Sequence, residues 1–104
     1  MSGALRTMKV VEIDSELAAL VPAFLARRRE DAQKVRDAAA AGDFETARSL
    51  GHQMKGVGGG YGFQPITDLG AAIEAAAKSH DGARLAALAT ELSEYLNGLE
   101  IRYV

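Results

Sequence analysis

His52 and Lys55 are the residues of this 104-residue chain whose types and spacing could do chemistry. Three positions apart, they share one face of a helix that turns about 100° per residue. Arg48 and Ser49 lie on that face behind the histidine, and Gly56 and Gly59 lie ahead of it, within the stretch GHQMKGVGGGYGF at 51–63. Ala47, Gly51, Met54 and Gly58 form a stripe to one side, so His52 is expected to point outward. The lysine one turn away opposes a second positive charge on the ring and favours neutral, nucleophilic imidazole. Its ammonium would stabilise an anion delivered to the ring, such as a phosphoryl group. Gly56 and Gly59 leave space beside the ring for another protein's backbone. Together these are the requirements of an exposed phosphoryl acceptor. They do not make a kinase, because nothing here binds nucleotide.

Other chemistries fit the residues less well. A phosphate-binding loop of the Walker type fails because Lys55 precedes Gly56 instead of following it, and no strand leads in. A dinucleotide fingerprint begun by Gly56 and Gly58 meets Tyr61 where its third glycine belongs. A metal site would have only His52 and His80, on different segments and without cysteine. Ser49 and His52 could face each other as nucleophile and base of a small hydrolase, but no oxyanion hole is evident. His80 reads as a loop histidine without function.

Composition narrows the classes further. A net charge of −2 with 25% charged residues gives no concentrated basic surface for nucleic acid. The chain has no cysteine, which removes disulfides and thiol chemistry and fits a reducing compartment. The N-terminus has no apolar core of signal-peptide length, and no run is long enough to span a membrane. A cytoplasmic protein is the expectation.

The elements that must position His52 can be read from helical spacing. Residues 1–13 form a lead-in whose Val10, Val11 and Ile13 either pack on the end of a bundle or form a short strand. Asp14 and Ser15 signal a helix start, and Pro22 divides a short helix ending near Val21 from a longer one beginning there. The longer helix would bury Phe24, Leu25, Ala32, Val35 and Ala39. Arg27, Arg28 and Arg29 invite a phosphate reading. The pairs Arg27–Asp31 and Glu30–Lys34 at i, i+4 favour a solvated, self-paired face, with Arg28 alone a candidate to border the His52 site. Gly42 and Asp43 open the motif helix, and Gln64–Pro65 opens one carrying Ile66, Leu69, Ile73 and Ala76. The last helix would bury Leu85, Leu88, Leu92, Leu96 and Leu99. The expected fold is all-α: an antiparallel up-and-down four-helix bundle with a short additional N-terminal helix, in a single domain spanning 14–104.

His52-Gln53-Met54-Lys55-Gly56, followed by small residues and Gly62-Phe63, resembles the His-x-x-Lys-Gly signature of histidine-containing phosphotransfer (HPt) domains. The resemblance extends over nearly the whole chain, from the Gly42-Asp43 turn to the closing helix. It implies a monomeric bundle that accepts a phosphoryl group on His52, through Nε2, from a receiver-domain aspartate and passes it to another receiver. Lys55 would steady the phosphoryl group and Gly56 would keep the approach clear. Arg48, Ser49 and Gly59, with Tyr61 or Phe63 if they are not core residues, would line the docking face. Mg²⁺ would belong to the receiver partner, leaving this chain without a cofactor. Gly58, Gly59 and Gly60 are more glycine-rich than the family's usual small residues. The alternative of another class is a helical adaptor that binds a signalling partner without phosphoryl chemistry.

Overall fold

A computed structural model describes residues 9–104, which are mostly helical, with four helices and two short strands. Strand β1 is Lys9–Ile13 and a 3-10 turn follows at Ser15–Leu17. The helices are α1 (Val21–Ala41), α2 (Phe44–Val57), α3 (Gln64–Lys78) and α4 (Gly82–Asn97). Strand β2, Leu99–Tyr103, ends the chain's regular structure. Helix α2 packs on α3 and α1 on α4, and the α1–α2 and α3–α4 contacts close the ring.

Local chemistry sets most of the boundaries. Pro22 occupies the first turn of α1, where a missing N–H costs nothing, so α1 starts at the proline break the sequence marks. Gly42 ends α1 at φ 70°, and Asp43 accepts from Thr46 N–H at 3.2 Å to cap α2. Asp81 accepts from Arg84 N–H at 3.0 Å and caps α4 in the same way. The shared core contains Phe24, Leu25, Val35, Met54, Phe63, Ile66, Ile73 and the α4 leucines 85, 88, 92 and 96.

Three expectations need correction. The helix begun at Asp14 is a single 3-10 turn, Ser15–Leu17, and does not run on to Val21, although Asp14 accepts from Glu16 N–H at 2.9 Å as a helix start would. Leu99 does not extend the last helix; the chain turns at Gly98 and runs into β2, which pairs in parallel with β1 from Lys9↔Leu99 to Ile13↔Tyr103. The β-branched Val10, Val11, Ile13 and Ile101, with Tyr103, suit that pleated pairing. The arginine run is only partly a solvated face: Arg27 and Arg29 are exposed, but Arg28 is not. Arg28 and Asp31 are both buried, with Nε and Oδ2 3.1 Å apart, and Arg28 lies 5.0 Å from the Phe24 ring centre. Burial pushes the Asp31 carboxyl above its usual value, against the opposing pull of Arg28. Arg29 reaches the Leu96 carbonyl at 3.4 Å, and Arg36 reaches Ser93 Oγ at 3.3 Å, so this side of α1 helps hold α4.

Candidate functional site

The α2–α3 crossing is close because glycine stands on both sides of it. A Cβ on Gly51 would lie 2.5 Å from Glu74 N and 2.7 Å from Gly70 O; one on Gly70 would lie 2.5 Å from Lys55 N. Gly58 continues the seam, since a Cβ there would meet Thr67 N at 2.6 Å. With the two backbones in contact, the side chain of Glu74 on α3 reaches the outer face of α2.

What it reaches is His52 and Lys55. Glu74 Oε2 lies 3.1 Å from His52 Nδ1, and Oε1 lies 2.8 Å from Lys55 Nζ. Lys78 Nζ, one turn along α3, is 3.8 Å from Oε2. The His52 side chain is 65% exposed and that of Glu74 only 8%, so a mostly buried carboxylate supports a largely open imidazole. The Lys55 hydrogen bond pulls the Glu74 carboxyl down to about 2, against the opposing effect of burial, with help from the His52 bond and the charges of Lys55 and Lys78. An ionised carboxylate can only accept, so Nδ1 carries the proton in this contact and donates it to Oε2. Whenever the ring is neutral, the lone pair is then on Nε2, the other ring nitrogen. This arrangement presents a nucleophile at a fixed atom.

The remaining sequence-predicted residues fall into place around that pair. Gly56 is exposed with nothing within 4 Å of where a Cβ would stand, so the approach beside the ring is open. Gly59 is exposed but falls beyond the helix, in a 3-10 turn at Gly59–Tyr61, where its N–H donates to Thr67 Oγ1 at 2.8 Å. The glycine run thus ends α2 at Val57, and Gly62 completes the turn at φ 90°. Arg48 is ion-paired to Glu45 one turn back. Ser49 is exposed and accepts from Gln53 Nε2 at 3.5 Å, while His52 is turned to Glu74; the serine–histidine pair of a hydrolase is not formed.

Two aromatic candidates for the docking face are packing residues instead. Phe63 is fully buried, and Tyr61 stacks on Phe24 with ring centres 4.2 Å apart. Arg28, a candidate neighbour of the site, belongs to the Phe24–Asp31 cluster. His80 stacks on Phe44 at 4.7 Å and adopts φ 55° in the α3–α4 connection. Among the described residues, no three His, Asp or Glu side chains gather as a metal ion would require, and no helix is long and apolar enough to cross a membrane.

Glu74 is the site residue that sequence reasoning missed. Its signal was present: an acid directly after Ile73, on the stripe that includes Ile66, Gly70 and Ala77. A carboxylate on a buried stripe needs a partner, and its own helix supplies only Lys78 at i+4.

The family model described as the Hpt domain matches residues 19–100. No curated protein and no solved structure matches the chain.

Proposed function

The chain belongs to the Hpt domain family, whose members carry phosphoryl groups in phosphorelays, and on that premise we propose that His52 is the phosphoryl acceptor. One observation carries the assignment: the exposed imidazole has Nδ1 tied to the mostly buried Glu74, beside Lys55 and the open position at Gly56.

In this reading the donor is a phosphoaspartate of a receiver domain. Nε2 of the neutral ring attacks phosphorus, an N–P bond forms and the P–O bond to aspartate breaks, releasing the receiver's carboxylate. No proton has to leave the histidine, because the attacking nitrogen carries none. The ring becomes a phosphorylated imidazolium, and its Nδ1–H strengthens its bond to the Glu74 carboxylate as positive charge develops. Lys55, held beside the ring by Oε1, can turn toward the phosphoryl oxygens. The reverse reaction, with a second receiver's aspartate as acceptor, passes the group on. Mg²⁺ belongs to the receiver, and this chain acts as a carrier without a cofactor of its own. Arg48, Ser49, Gly56 and Gly59 form the docking face in this reading. Residues 14–104 act as one domain with the helices in antiparallel up-and-down order, in the cytoplasm where receivers reside.

The test is transfer from a labelled phosphorylated receiver domain. Label should appear on an acid-labile, base-stable site in the parent protein and be absent in His52→Gln. Equal labelling of that variant would overturn the assignment. Receiver binding that persisted in His52→Ala, with no phosphohistidine formed by the parent, would favour the adaptor reading.

A further inference from the structure

The two-stranded sheet lies apart from the transfer chemistry, and its hydrogen-bond pattern can be followed residue by residue. Val104 N–H donates to Ile13 C=O, and Val104 C=O accepts from Ser15 N–H, both at 2.9 Å. Both polar groups of Val104 therefore face β1. Parallel pairing alternates, so Arg102 and Glu100 also face β1, while the N–H and C=O groups of Leu99, Ile101 and Tyr103 point away from it. Among the described residues, the sheet has only these two strands and no backbone group outside the ladder bonds that outer row.

Burial falls across the sheet in the same direction. Ile13 in β1 is 2% exposed and its register partner Tyr103 in β2 is 41% exposed. At this end of the sheet the core covers β1 and leaves β2 as a rim, while further back Val11 and its partner Ile101 are both partly buried against the core. Of the five large apolar residues exposed among the described residues, Val10, Tyr103 and Val104 belong to the sheet or its last bond. An open edge with apolar side chains is a template for a further strand.

The residues of β2 select the strand. Leu99-Glu100-Ile101-Arg102-Tyr103 has the same pattern when reversed, with acid and base exchanging places. We propose that β2 pairs in antiparallel register with β2 of a second copy, about a two-fold axis at Ile101, to give a four-stranded sheet.

In that register Ile101 bonds the partner's Ile101, and Leu99 and Tyr103 bond each other, using the outward-facing row. Glu100 then stands opposite the partner's Arg102 at the close, non-hydrogen-bonded positions, twice by symmetry. Since Arg102 is already opposite Glu12 of its own chain, it would lie between two carboxylates. On the other face Val11, Ile101, the partner's Ile101 and the partner's Val11 line up as one apolar row. The outer edge of β1 lacks this self-complementarity, because the same two-fold there sets Val10 against Glu12. A two-fold pairing through β2 also closes on itself, whereas a β1-to-β2 contact would propagate. The inference goes beyond phosphotransfer and does not depend on it.

Sedimentation equilibrium of the full chain tests the pairing over about 10 to 500 µM, the range suited to a small, weak interface. The parent should double in mass across that range. Ile101→Pro should remain monomeric with an unchanged helical spectrum, because the N–H it removes is not used by the β1–β2 ladder. Glu100→Arg and Arg102→Glu should each be monomeric alone and form a mixed dimer when combined, since together they restore opposite charges at both contacts. A parent that stays monomeric throughout, or a dimer that survives Ile101→Pro, would overturn the proposal.

Discussion

A carboxylate beside a histidine nucleophile can orient the ring or stabilise its cationic product, and Glu74 is placed for both. The two roles separate on substitution. Glu74→Ala removes the acceptor for Nδ1–H, and loss of ring orientation should slow transfer to His52 by about 10–100-fold. Glu74→Gln keeps one oxygen that can accept from Nδ1 but loses the charge and the second oxygen that holds Lys55; the expected loss is under about tenfold. Nitrogen NMR of the unphosphorylated imidazole separates this from a general loss of folding. The Nδ1–H tautomer should dominate in the parent, persist in Glu74→Gln and give way to a mixture in Glu74→Ala. Glu74 also links stability to acid. Its carboxyl is lowered to about 2 in the folded chain from an ordinary value of 4.5, so the native state releases the proton more readily. The corresponding stability is present above about 4.5 and is lost as pH falls through 4.5 toward 2. Urea midpoints recorded down that range should fall more steeply for the parent than for Glu74→Gln.

Glycine has opposite meanings at two positions of the same helix, and element packing decides which. Gly51 is where α2 touches the backbone of α3, and any Cβ there would stand 2.5 Å from a main-chain nitrogen. Gly51→Ala should force the helices apart, cost about 1–3 kcal/mol by thermal or urea unfolding, and carry Glu74 out of reach of His52. Gly56, with open space around it, should behave in reverse. Gly56→Ala should leave the fold as stable or up to about 1 kcal/mol more so through helix propensity. A bulky residue at Gly56 should block transfer without loss of helix content. Helical spacing was enough to assign Gly51 to the inner side of α2 and Gly56 to the outer side. It could not show that Gly70, 19 residues further along the chain, was Gly51's partner in the crossing, because that depends on how two helices meet. Glu74 was hidden for the same reason. Its function exists only once the crossing brings it to another helix, whereas His52 and Lys55 announce themselves through spacing within one.

At the scale of the whole molecule, the helical part of the fold was legible because four apolar stripes, two proline starts and the Gly42–Asp43 turn agree on the same boundaries. The ends of the chain were not. Val10, Val11 and Ile13 suited either a strand or a cap on the bundle, and Leu99 continued the leucine spacing of α4 by three residues after Leu96, so the periodicity ran on past the point where Gly98 turns the backbone. The missing information was the pairing of β1 with β2, a contact between opposite ends of the sequence that no local pattern encodes. That contact is anchored in the core through Ile13, which is 2% exposed and meets the turn after α2: a Cβ on Gly62 would lie 2.9 Å from Ile13 Cδ1. The sheet and the glycine turn that ends the site helix therefore support each other. Ile13→Ala should cost about 2–4 kcal/mol in urea unfolding, the range for emptying a fully packed aliphatic site. Hydrogen exchange should show where the loss falls. Amides of β2 and of the Gly59–Gly62 turn should lose protection first, while the α2–α3 seam keeps it and transfer to His52 stays within about threefold of the parent. Equal loss of protection across all four helices would instead mean that the terminal ladder is an integral part of the bundle's cooperative core.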